Sequence, residues 1–374
     1  MTIVHIIQRD KFTYGYIDFM NSRYCKNTNV FFTNRGSYTL PKDASIIEYS
    51  CYKELLKRQN CEYFEQADKI IISGVSIAGR DIAAFSAFSK KYINKTYFHF
   101  WGKDYYRFKK NKKDESQKMI LQGFSDHVRT IIRYPYQLLY RFLVFSAFRA
   151  SAGLVFVIDG EYEVFNQITG VVNQHYVAPM PGFPDSTVNY KQIREVPKRD
   201  TTIKILIGNS ATASNRHLDV FNILKDKQLE NVRLYCPLSY GDDEYRDKIY
   251  QNGRLLLGER FAPIIKFMQF EEYIRFLATM DVGIFYNDRQ QALGNIIYML
   301  LLGKKVYLRE GTTVWENFNN IGLKVFPCSS LVNESIEDIF HFDAQIRQNN
   351  IELCEATYSA DADELKWNKV IYDN

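Results

Sequence analysis

The chain has 374 residues, enough for two domains, because one domain typically takes about 150 residues. With 46% hydrophobic and 24% charged residues, the composition is that of a folded globular protein and excludes an intrinsically disordered chain. The formal net charge of +5 is compatible with an anionic substrate or an anionic lipid, and the pI of about 8.6 is below that of typical nucleic-acid-binding domains.

The cysteines and the apolar segments give expectations about the compartment. The first residues carry charges within the first ten positions and lack the apolar core of a secretory signal. No run of about 18 apolar residues is present, so no membrane-spanning helix is expected. The cysteines show no C-x-x-C pair and no regular spacing, so we expect reduced thiols in a cytosolic protein. They are Cys25, Cys51, Cys61, Cys236, Cys328 and Cys354.

The first part of the chain alternates short apolar runs with helical segments. Residues 2–7 predict a strand, and residues 12–20 predict the helix that follows it. Residues 68–73 and 96–101 predict further buried strands, with a helical segment between them. This alternation predicts a parallel, doubly wound α/β sheet.

Acidic residues follow two of these predicted strands. Asp10 comes after the strand 2–7, and Asp104 comes after the strand 96–101. Active-site groups collect at the carboxyl ends of parallel strands, so Asp104 is an active-site candidate. In the alternative interpretation, Asp104 caps the next helix.

Residues 105–150 form a basic and aromatic segment that is too charged to span a bilayer. We expect it to lie at a membrane interface, with basic groups at the headgroups and aromatic rings below them. The alternative is a pair of buried helices whose arginine stems cover apolar surface. Basic residues between tyrosines and phenylalanines would also suit single-stranded nucleic acid, but no nucleic-acid motif is recognised, and no such partner is expected.

A proline-rich segment, 176–200, predicts an interdomain linker. We therefore expect domains at 1–185 and 186–374, with the last helix a candidate for crossing back to the first domain. In the second domain, polar loops follow four predicted strands, and such loops meet at one edge of a parallel sheet. These loops cover residues 208–217, 237–241, 287–295 and 309–310.

The clearest unit of the second domain runs from 281 to 315. It predicts a strand at 282–286, a helix at 296–302 opened by Gly294 and Asn295, and a strand at 306–308. Free backbone N–H groups at the start of that helix would favour an anion such as a phosphate.

Several motifs resemble those of TDP-N-acetylfucosamine:lipid II N-acetylfucosaminyltransferases, glycosyltransferase family 56. They occur in the family's order and spacing, from about Asp68 to Trp315. The motifs are FHFWGKD (98–104), ILIGNSATASNRH (205–217), CPLSYGD (236–242), FMQFEEYIRFLATMDVGIF (267–285), RQQALGN (289–295) and LREGTTVW (308–315).

The resemblance implies a GT-B fold, in which two Rossmann-like domains face each other across a central cleft. It also implies a hexosyltransferase-type enzyme, peripheral on the cytoplasmic face of the bacterial plasma membrane. Such an enzyme passes a deoxyamino sugar, similar to N-acetylfucosamine, from a dTDP-sugar donor to an undecaprenyl-diphosphate-linked glycan in surface polysaccharide synthesis. We expect no cofactor besides the nucleotide-sugar substrate, no metal, and inversion at the anomeric carbon.

The resemblance places the donor in the second domain. Arg216 and Arg289, with helix N-termini, are expected to neutralise the leaving diphosphate. The acidic pair Asp242-Asp243 opens a helix and does not suit a metal-diphosphate site. We expect Glu310 to accept a ribose hydroxyl and Tyr240 to pack against the base or sugar. The expected donor-binding residues are Gly208, Asn209, Ser210, Asn215, Arg216, His217, Pro237, Ser239, Tyr240, Asn287, Arg289, Gln290, Gln291, Gly294, Asn295 and Glu310. Of these, His217 is equally well explained as a core or capping residue.

The resemblance assigns the acceptor to the first domain. Asp104 is expected to be the general base that takes the acceptor hydroxyl proton, and Asp10 is the second candidate. Acceptor-binding candidates are Trp101, Lys103 and Gly74. Next to them, His99 is expected to be structural.

Two alternatives within enzymes remain. The same fold could use a UDP- or GDP-linked sugar to build a capsule or wall polymer. A nucleotide-sugar 2-epimerase shares this fold as well, but it needs no lipid contact, and the segment 105–150 argues against it.

Overall fold

The computed structural model describes residues 1–75, 77–109, 124–184, 188–195, 201–227 and 231–373, with the backbone alone for 124–134. The chain divides into two compact units, one formed by 1–183 with 363–374 and the other by 184–362. The C-terminal helix therefore belongs mostly to the first unit. Part of the predicted linker, 185–187 and 196–200, lies outside the described residues.

The first unit alternates strands and helices, as the apolar runs predict. Its elements are β1 (Thr2–Ile7), α1 (Thr13–Arg23), β2 (Thr28–Asn34), β3 (Ile46–Tyr49), α2 (Tyr52–Leu55), α3 (Arg58–Gln66), β4 (Lys69–Ser73), α4 (Ile82–Tyr92), β5 (Thr96–Phe100), α5 (Lys103–Tyr106), α6 (Phe124–Ala150), β6 (Gly153–Phe156), α7 (Glu161–Thr169) and β7 (His175–Val177). The short strand β7 begins before the segment predicted as linker and continues into it.

The second unit repeats the pattern. Its elements are α8 (Tyr190–Arg194), β8 (Ile203–Ile207), α9 (His217–Leu224), β9 (Val232–Pro237), α10 (Asp243–Leu257), β10 (Phe261–Ile264), α11 (Phe270–Ala278), β11 (Val282–Phe285), α12 (Leu293–Leu301), β12 (Lys305–Leu308), α13 (Thr313–Ile321), β13 (Phe326–Pro327), α14 (Ile336–Phe340) and α15 (Ala344–Thr357). The last helix, α16 (Ala360–Tyr372), starts in this unit and continues into the first.

Both sheets are parallel throughout the described residues and have the same order over six strands, to which the first sheet adds a seventh. The first runs β3-β2-β1-β4-β5-β6-β7, and the second runs β10-β9-β8-β11-β12-β13. In each sheet the order reverses between its first and fourth strands, β1 and β4 or β8 and β11. Open α/β sheets bind ligands at that reversal, outside the carboxyl ends of the strands. The predicted fold class, two Rossmann-like α/β domains, is confirmed.

The core explains why the strands read as continuous apolar runs. All five residues of β4 and all four of β11 are buried, because helices cover both faces of a parallel sheet. In α12 the six residues from Ile296 to Leu301 are all buried, which makes it a central helix. This helix begins three residues before its predicted start at Ile296, directly after Ala292, which has a left-handed conformation with φ 62°.

Candidate functional site

A tight turn at Gly208 opens the first polar loop of the second unit. Gly208 follows β8 directly and has a φ of 66°, a conformation that favours glycine. A Cβ at this position would lie 2.7 Å from Nε2 of His217 and 2.8 Å from Oδ1 of Asn215. Glycine therefore fits this turn, whereas a larger residue would require the side chains of His217 and Asn215 to shift.

Asn215 holds the shape of that loop from inside. Its buried amide donates to the carbonyl of Ser210 at 3.0 Å and to Oγ1 of Thr212 at 2.7 Å. Its Oδ1 accepts the backbone N–H of Asn209 at 3.1 Å. Because its amide makes these hydrogen bonds within the loop, Asn215 supports the shape of the predicted donor site.

Gln291 ties the loop after β11 to the loop after β8, across the point where the strand order reverses. Its Nε2 donates to Oδ1 of Asn209 at 3.0 Å and to Oγ1 of Thr212 at 2.9 Å. Its Oε1 accepts the hydroxyl of Ser214 at 2.6 Å. The two loops 208–217 and 287–295 thus form one hydrogen-bonded surface.

The loop after β9 joins the same surface. Ala211 and Gly241 form an isolated parallel bridge, and Nδ2 of Asn209 donates to the Tyr240 hydroxyl at 3.0 Å. The Tyr240 ring is exposed, which suits packing against a ligand, whereas Pro237 is buried and Ser239 is half-buried. Asp242 caps α10 by accepting the N–H of Tyr245, as its position at a helix start predicts.

Four charged side chains form an ion-pair cluster beside these loops. Arg216 binds both carboxylate oxygens of Asp219, through Nε at 2.9 Å and Nη2 at 3.0 Å, and this pairing lowers the pKa of Asp219. The third nitrogen of Arg216 lies 3.5 Å from Asp288, which also pairs with Arg309. The guanidinium fork of Arg216 is therefore already occupied by carboxylates.

A small, partly open cavity lies between the ends of β11 and β12 and the first turns of α12 and α13, and it encloses about 200 Å³ when the solvent at its mouth is included. Asn287 and Arg289 line it, and Gln291 borders it. The Asn287 side chain is only 5% exposed, and among the described residues neither atom of its amide has a hydrogen-bond partner. Three residues after Asn287, buried Gln290 has an Oε1 with no hydrogen-bond partner among the residues the structure describes, and its carbonyl accepts from Arg289 at 3.0 Å.

The start of α12 presents backbone N–H groups beside this cavity. Within the described residues no side chain caps its N-terminus. Gly294 lies in the first turn, and Asn295 donates to the Tyr273 hydroxyl at 2.9 Å. Uncapped N–H groups at a helix start favour an anion.

Two predicted donor ligands make hydrogen bonds within the protein. His217 is buried behind Gly208, and its Nδ1 contacts the Tyr245 hydroxyl at 3.1 Å. Burial lowers its pKa to about 3, so the ring is neutral at pH 7. Glu310 follows β12 and accepts hydrogen bonds from the hydroxyl and, at 3.4 Å, the backbone N–H of Ser329.

In the first unit, Asp104 lies one residue inside the short helix α5. Its carboxylate accepts the backbone N–H of Trp101 at 2.6 Å, a contact that tightens the turn after β5. Burial raises the pKa of Asp104 from 3.8 to about 6, against the opposing effect of the Trp101 hydrogen bond. A carboxyl group with that pKa accepts a proton more readily than an exposed one.

Asp10 and the acceptor-binding candidates lie at the same edge of the first sheet. Asp10 accepts the N–H of Phe12 at 2.9 Å, and burial raises its pKa. The Trp101 ring packs over Gly74, where a Cβ would come within 3.2 Å of it, and against the Phe12 ring. Lys103, which begins α5, is exposed.

His99 is buried in the first unit. Its Nδ1 contacts the Ser73 hydroxyl at 3.1 Å, and its ring packs edge-on against Trp367 of α16. Burial lowers its pKa to about 3. These contacts are those of a packing residue, the role that its place on the strand favours.

The structure adds residues that the candidate set omits. Thr212 and Ser214 complete the hydrogen bonds of Gln291, and Asp288 joins Arg216 to Arg309. Arg309 borders the cavity. Its place directly after β12, in a polar strand-end loop, is a sequence signal that could have identified it.

Solved structures that match this fold include glycosyltransferases. Anabaena Alr3699/HepE in complex with UDP and glucose matches with a TM-score of 0.64 at 11% identity over 100% of both chains. A glycosyltransferase from Rickettsia africae matches with a TM-score of 0.62 at 13% identity, over 100% of this chain and 99% of that one. WaaG, a glycosyltransferase involved in lipopolysaccharide biosynthesis, matches with a TM-score of 0.59 at 10% identity over 100% of both chains. The fold is therefore GT-B.

The sequence also matches a family model, described as 4-alpha-L-fucosyltransferase, glycosyl transferase group 56. The match covers residues 87–370, so it extends beyond Trp315, where the motif resemblance ends, and includes most of the C-terminal tail. On this match and the GT-B fold, the chain belongs to glycosyltransferase family 56 and is a glycosyltransferase.

Proposed function

We propose that the protein transfers a deoxyamino sugar of the N-acetylfucosamine type from a dTDP-sugar to an undecaprenyl-diphosphate-linked glycan. The observation that carries the donor half of this proposal is the hydrogen-bonded surface of the second unit. It combines the Gly208 turn, the Gln291 bridge and the uncapped start of α12. Backbone N–H groups and a cation, Arg289, at one sheet edge suit a nucleoside diphosphate.

The proposed chemistry needs a base for the acceptor and positive charge to stabilise the leaving group. Asp104 takes the proton of the acceptor hydroxyl as that oxygen attacks the anomeric carbon of the donor sugar. The bond between the anomeric carbon and the phosphate oxygen breaks, and its electron pair leaves with dTDP. Arg289 and the N-terminus of α12 stabilise the charge on that leaving group, in an inverting reaction that needs no metal.

A donor panel tests this proposal. The purified protein is incubated with dTDP-, UDP- and GDP-sugars and a polyprenyl-diphosphate glycan, and release of nucleoside diphosphate is measured with and without the acceptor. We expect acceptor-dependent release from a dTDP-linked deoxyamino sugar. Turnover with UDP- or GDP-sugars alone would show that the donor is not a dTDP-sugar. Epimerisation of the donor without acceptor would show that the reaction is not a transfer.

We also propose that the protein binds the cytoplasmic face of the plasma membrane through the segment 105–150. Its residues 110–123, and the side chains of 124–134, lie outside the described part. In the described part of α6, Leu138, Leu139 and Phe142 are exposed, the last to 66%. Arg141 and Arg107 lie over the aromatic ring of Phe108, so cationic groups accompany the apolar face. No helix in the described residues is long and apolar enough to cross a membrane.

Vesicle flotation tests the membrane proposal. We expect binding to vesicles that contain anionic lipid, with less binding at high salt. Phe142→Ser should weaken binding, because a large apolar side chain no longer enters the interface. Leu255→Ser is the matched control, since Leu255 is 82% exposed on α10 of the second unit. Binding that ignores lipid charge, salt and Phe142 would contradict the proposal.

A further inference from the structure

Arg309 borders the cavity in the second unit from the β12 side. The cavity has an apolar lining, formed by Phe285, Ile296, Leu308 and Val314, and a polar one that includes Asn287, Arg289 and Arg309. Two arginines and the buried Asn287 therefore border one small space beside the first turn of α12. This combination of fixed positive charge and backbone N–H groups matches an anionic group on a ligand.

The amide of Asn287 is an independent sign that a ligand binds here. Neither its nitrogen nor its oxygen has a hydrogen-bond partner among the described residues, although Asn287 is only 5% exposed. A buried polar group without a hydrogen bond destabilises the folded state, so native proteins rarely keep one. Both atoms are closed off from solvent, so a ligand in the cavity would pair with them only after the Asn287 side chain turns toward it.

The two arginines that share Asp288 differ in how much of their hydrogen-bonding capacity is used. Arg216 binds both oxygens of Asp219 and also faces Asp288. Within the described residues, Asp288 is the one ion-pair partner of Arg309, whose guanidinium also lies 5.3 Å from the centre of the Tyr286 ring. A guanidinium has five N–H donors, so Arg309 keeps donors for a ligand.

We propose that Arg309 binds the diphosphate of the donor and stabilises its charge as it leaves. This inference rests on the proposed function and adds a cation to it. Asp288 holds the Arg309 side chain at the cavity before the donor arrives. As the bond between the anomeric carbon and the phosphate oxygen breaks, the electron pair moves to that oxygen. Arg309 and Arg289 then stabilise the added negative charge on that oxygen, while the acceptor proton goes to the general base.

Binding of nucleotides without turnover gives the first test. Calorimetry compares dTDP and UDP with thymidine and uridine, on the wild type and on Arg309→Gln, Arg309→Lys and Arg254→Gln. We expect Arg309→Gln to weaken diphosphate binding about 10–100-fold and to leave nucleoside binding unchanged, because a charge-assisted hydrogen bond is lost. Arg309→Lys should recover part of the loss, since the charge remains but the fork is absent. Arg254, on α10 and 3.8 Å from Glu259, is the matched control and should bind as the wild type does.

The outcomes separate this inference from the proposed function. No binding of any nucleoside diphosphate to the wild type would overturn both. Normal diphosphate binding to Arg309→Gln would overturn the role of Arg309 alone. Equal losses for nucleosides and diphosphates, without recovery in Arg309→Lys, would also overturn it, because they indicate damage to the fold. With donor and acceptor present, the proposed role predicts a lower kcat for Arg309→Gln even at saturating donor.

Discussion

The two sheets share one strand order over six strands, yet different kinds of side chains form their carboxyl edges. In the second unit, Asn215 and Gln291 join the loops by hydrogen bonds, and no side chain in the described part of the chain caps the start of α12. In the first unit, the edge is packed from aromatic rings, such as Trp101 over Gly74, around half-buried carboxyl groups. The topology supplies the edge, and the side chains decide whether that edge favours an anion or raises the pKa of an acid.

This difference fits a division of labour. A surface of fixed N–H groups and guanidinium groups stabilises the negative charge of a leaving group. An edge of low polarity disfavours the charged carboxylate, so Asp104 with a pKa of about 6 is a stronger base than an exposed aspartate. Variants that damage one function and leave the other intact would sharpen the comparison.

The largest effect is expected at Asp104. Asp104→Asn keeps the shape of the side chain and removes the base, so turnover should fall about 10²–10⁴-fold. Donor affinity should stay nearly unchanged, because the expected donor ligands belong to the second unit. Turnover, donor affinity and melting temperature are measured on the same variant. A destabilised but fully active variant would show that Asp104 only shapes the turn at Trp101, and Asp10 would become the candidate base.

The pH profile of turnover tests the same carboxyl group in the wild type. Because the base must be deprotonated, the rate should fall about tenfold per pH unit below a pKa of about 6 and level off above it. Asp104→Asn should lose this step. Stability changes in the opposite direction. A pKa raised from 3.8 to about 6 on folding means that the folded state binds the proton more tightly. The contribution of Asp104 to stability therefore falls as pH rises through this range. If the rate fell at low pH only because the protein unfolded, it would not show this change of about tenfold per pH unit.

In the second unit, the corresponding test is Arg289→Ala. Loss of a charge-assisted contact to phosphate should weaken donor binding about 10–100-fold, as calorimetry with the dTDP-sugar would measure. Arg254→Ala serves as its control on α10. Acceptor-side properties, above all the pH step assigned to Asp104, should remain. Unchanged nucleotide affinity in Arg289→Ala would show that the donor is bound by other residues.

Much of this comparison could be predicted from local sequence. Strands such as β4 and β11 are continuous apolar runs, and polar residues mark where they end. Because the carboxyl ends of parallel strands meet at one edge, the positions of the loops 208–217 and 287–295 predict that they meet. The bounds of α12 were less predictable, since nothing in the sequence indicates the left-handed conformation of Ala292.

The partners of individual side chains could not be predicted, because they depend on residues far apart in the chain. Asp288 takes Arg216 and Arg309 as partners, and Gln291 bonds to Asn209. Such pairings follow from the register of β8, β11 and β12, which a local pattern does not specify. The same reason explains why Arg216 was expected at the phosphate, whereas its fork lies on Asp219.

The smallest effect concerns the rigidity of the donor edge, and a pair of glycines isolates it. Gly208 and Gly311 have nearly the same φ, 66° and 68°. A Cβ at Gly208 would meet His217 and Asn215 within 3 Å, whereas at Gly311 it would meet nothing within 4 Å. Both alanine variants should lose about 1–2 kcal/mol of stability from backbone strain alone. Gly208→Ala should lose about 1–3 kcal/mol more from overpacking. We therefore expect a larger drop in the melting temperature of Gly208→Ala, with weaker nucleotide binding, as thermal denaturation with and without dTDP would show. Equal drops for the two variants would mean that the His217 ring and the Asn215 amide move aside easily, and that the donor edge is softer than its hydrogen bonds indicate.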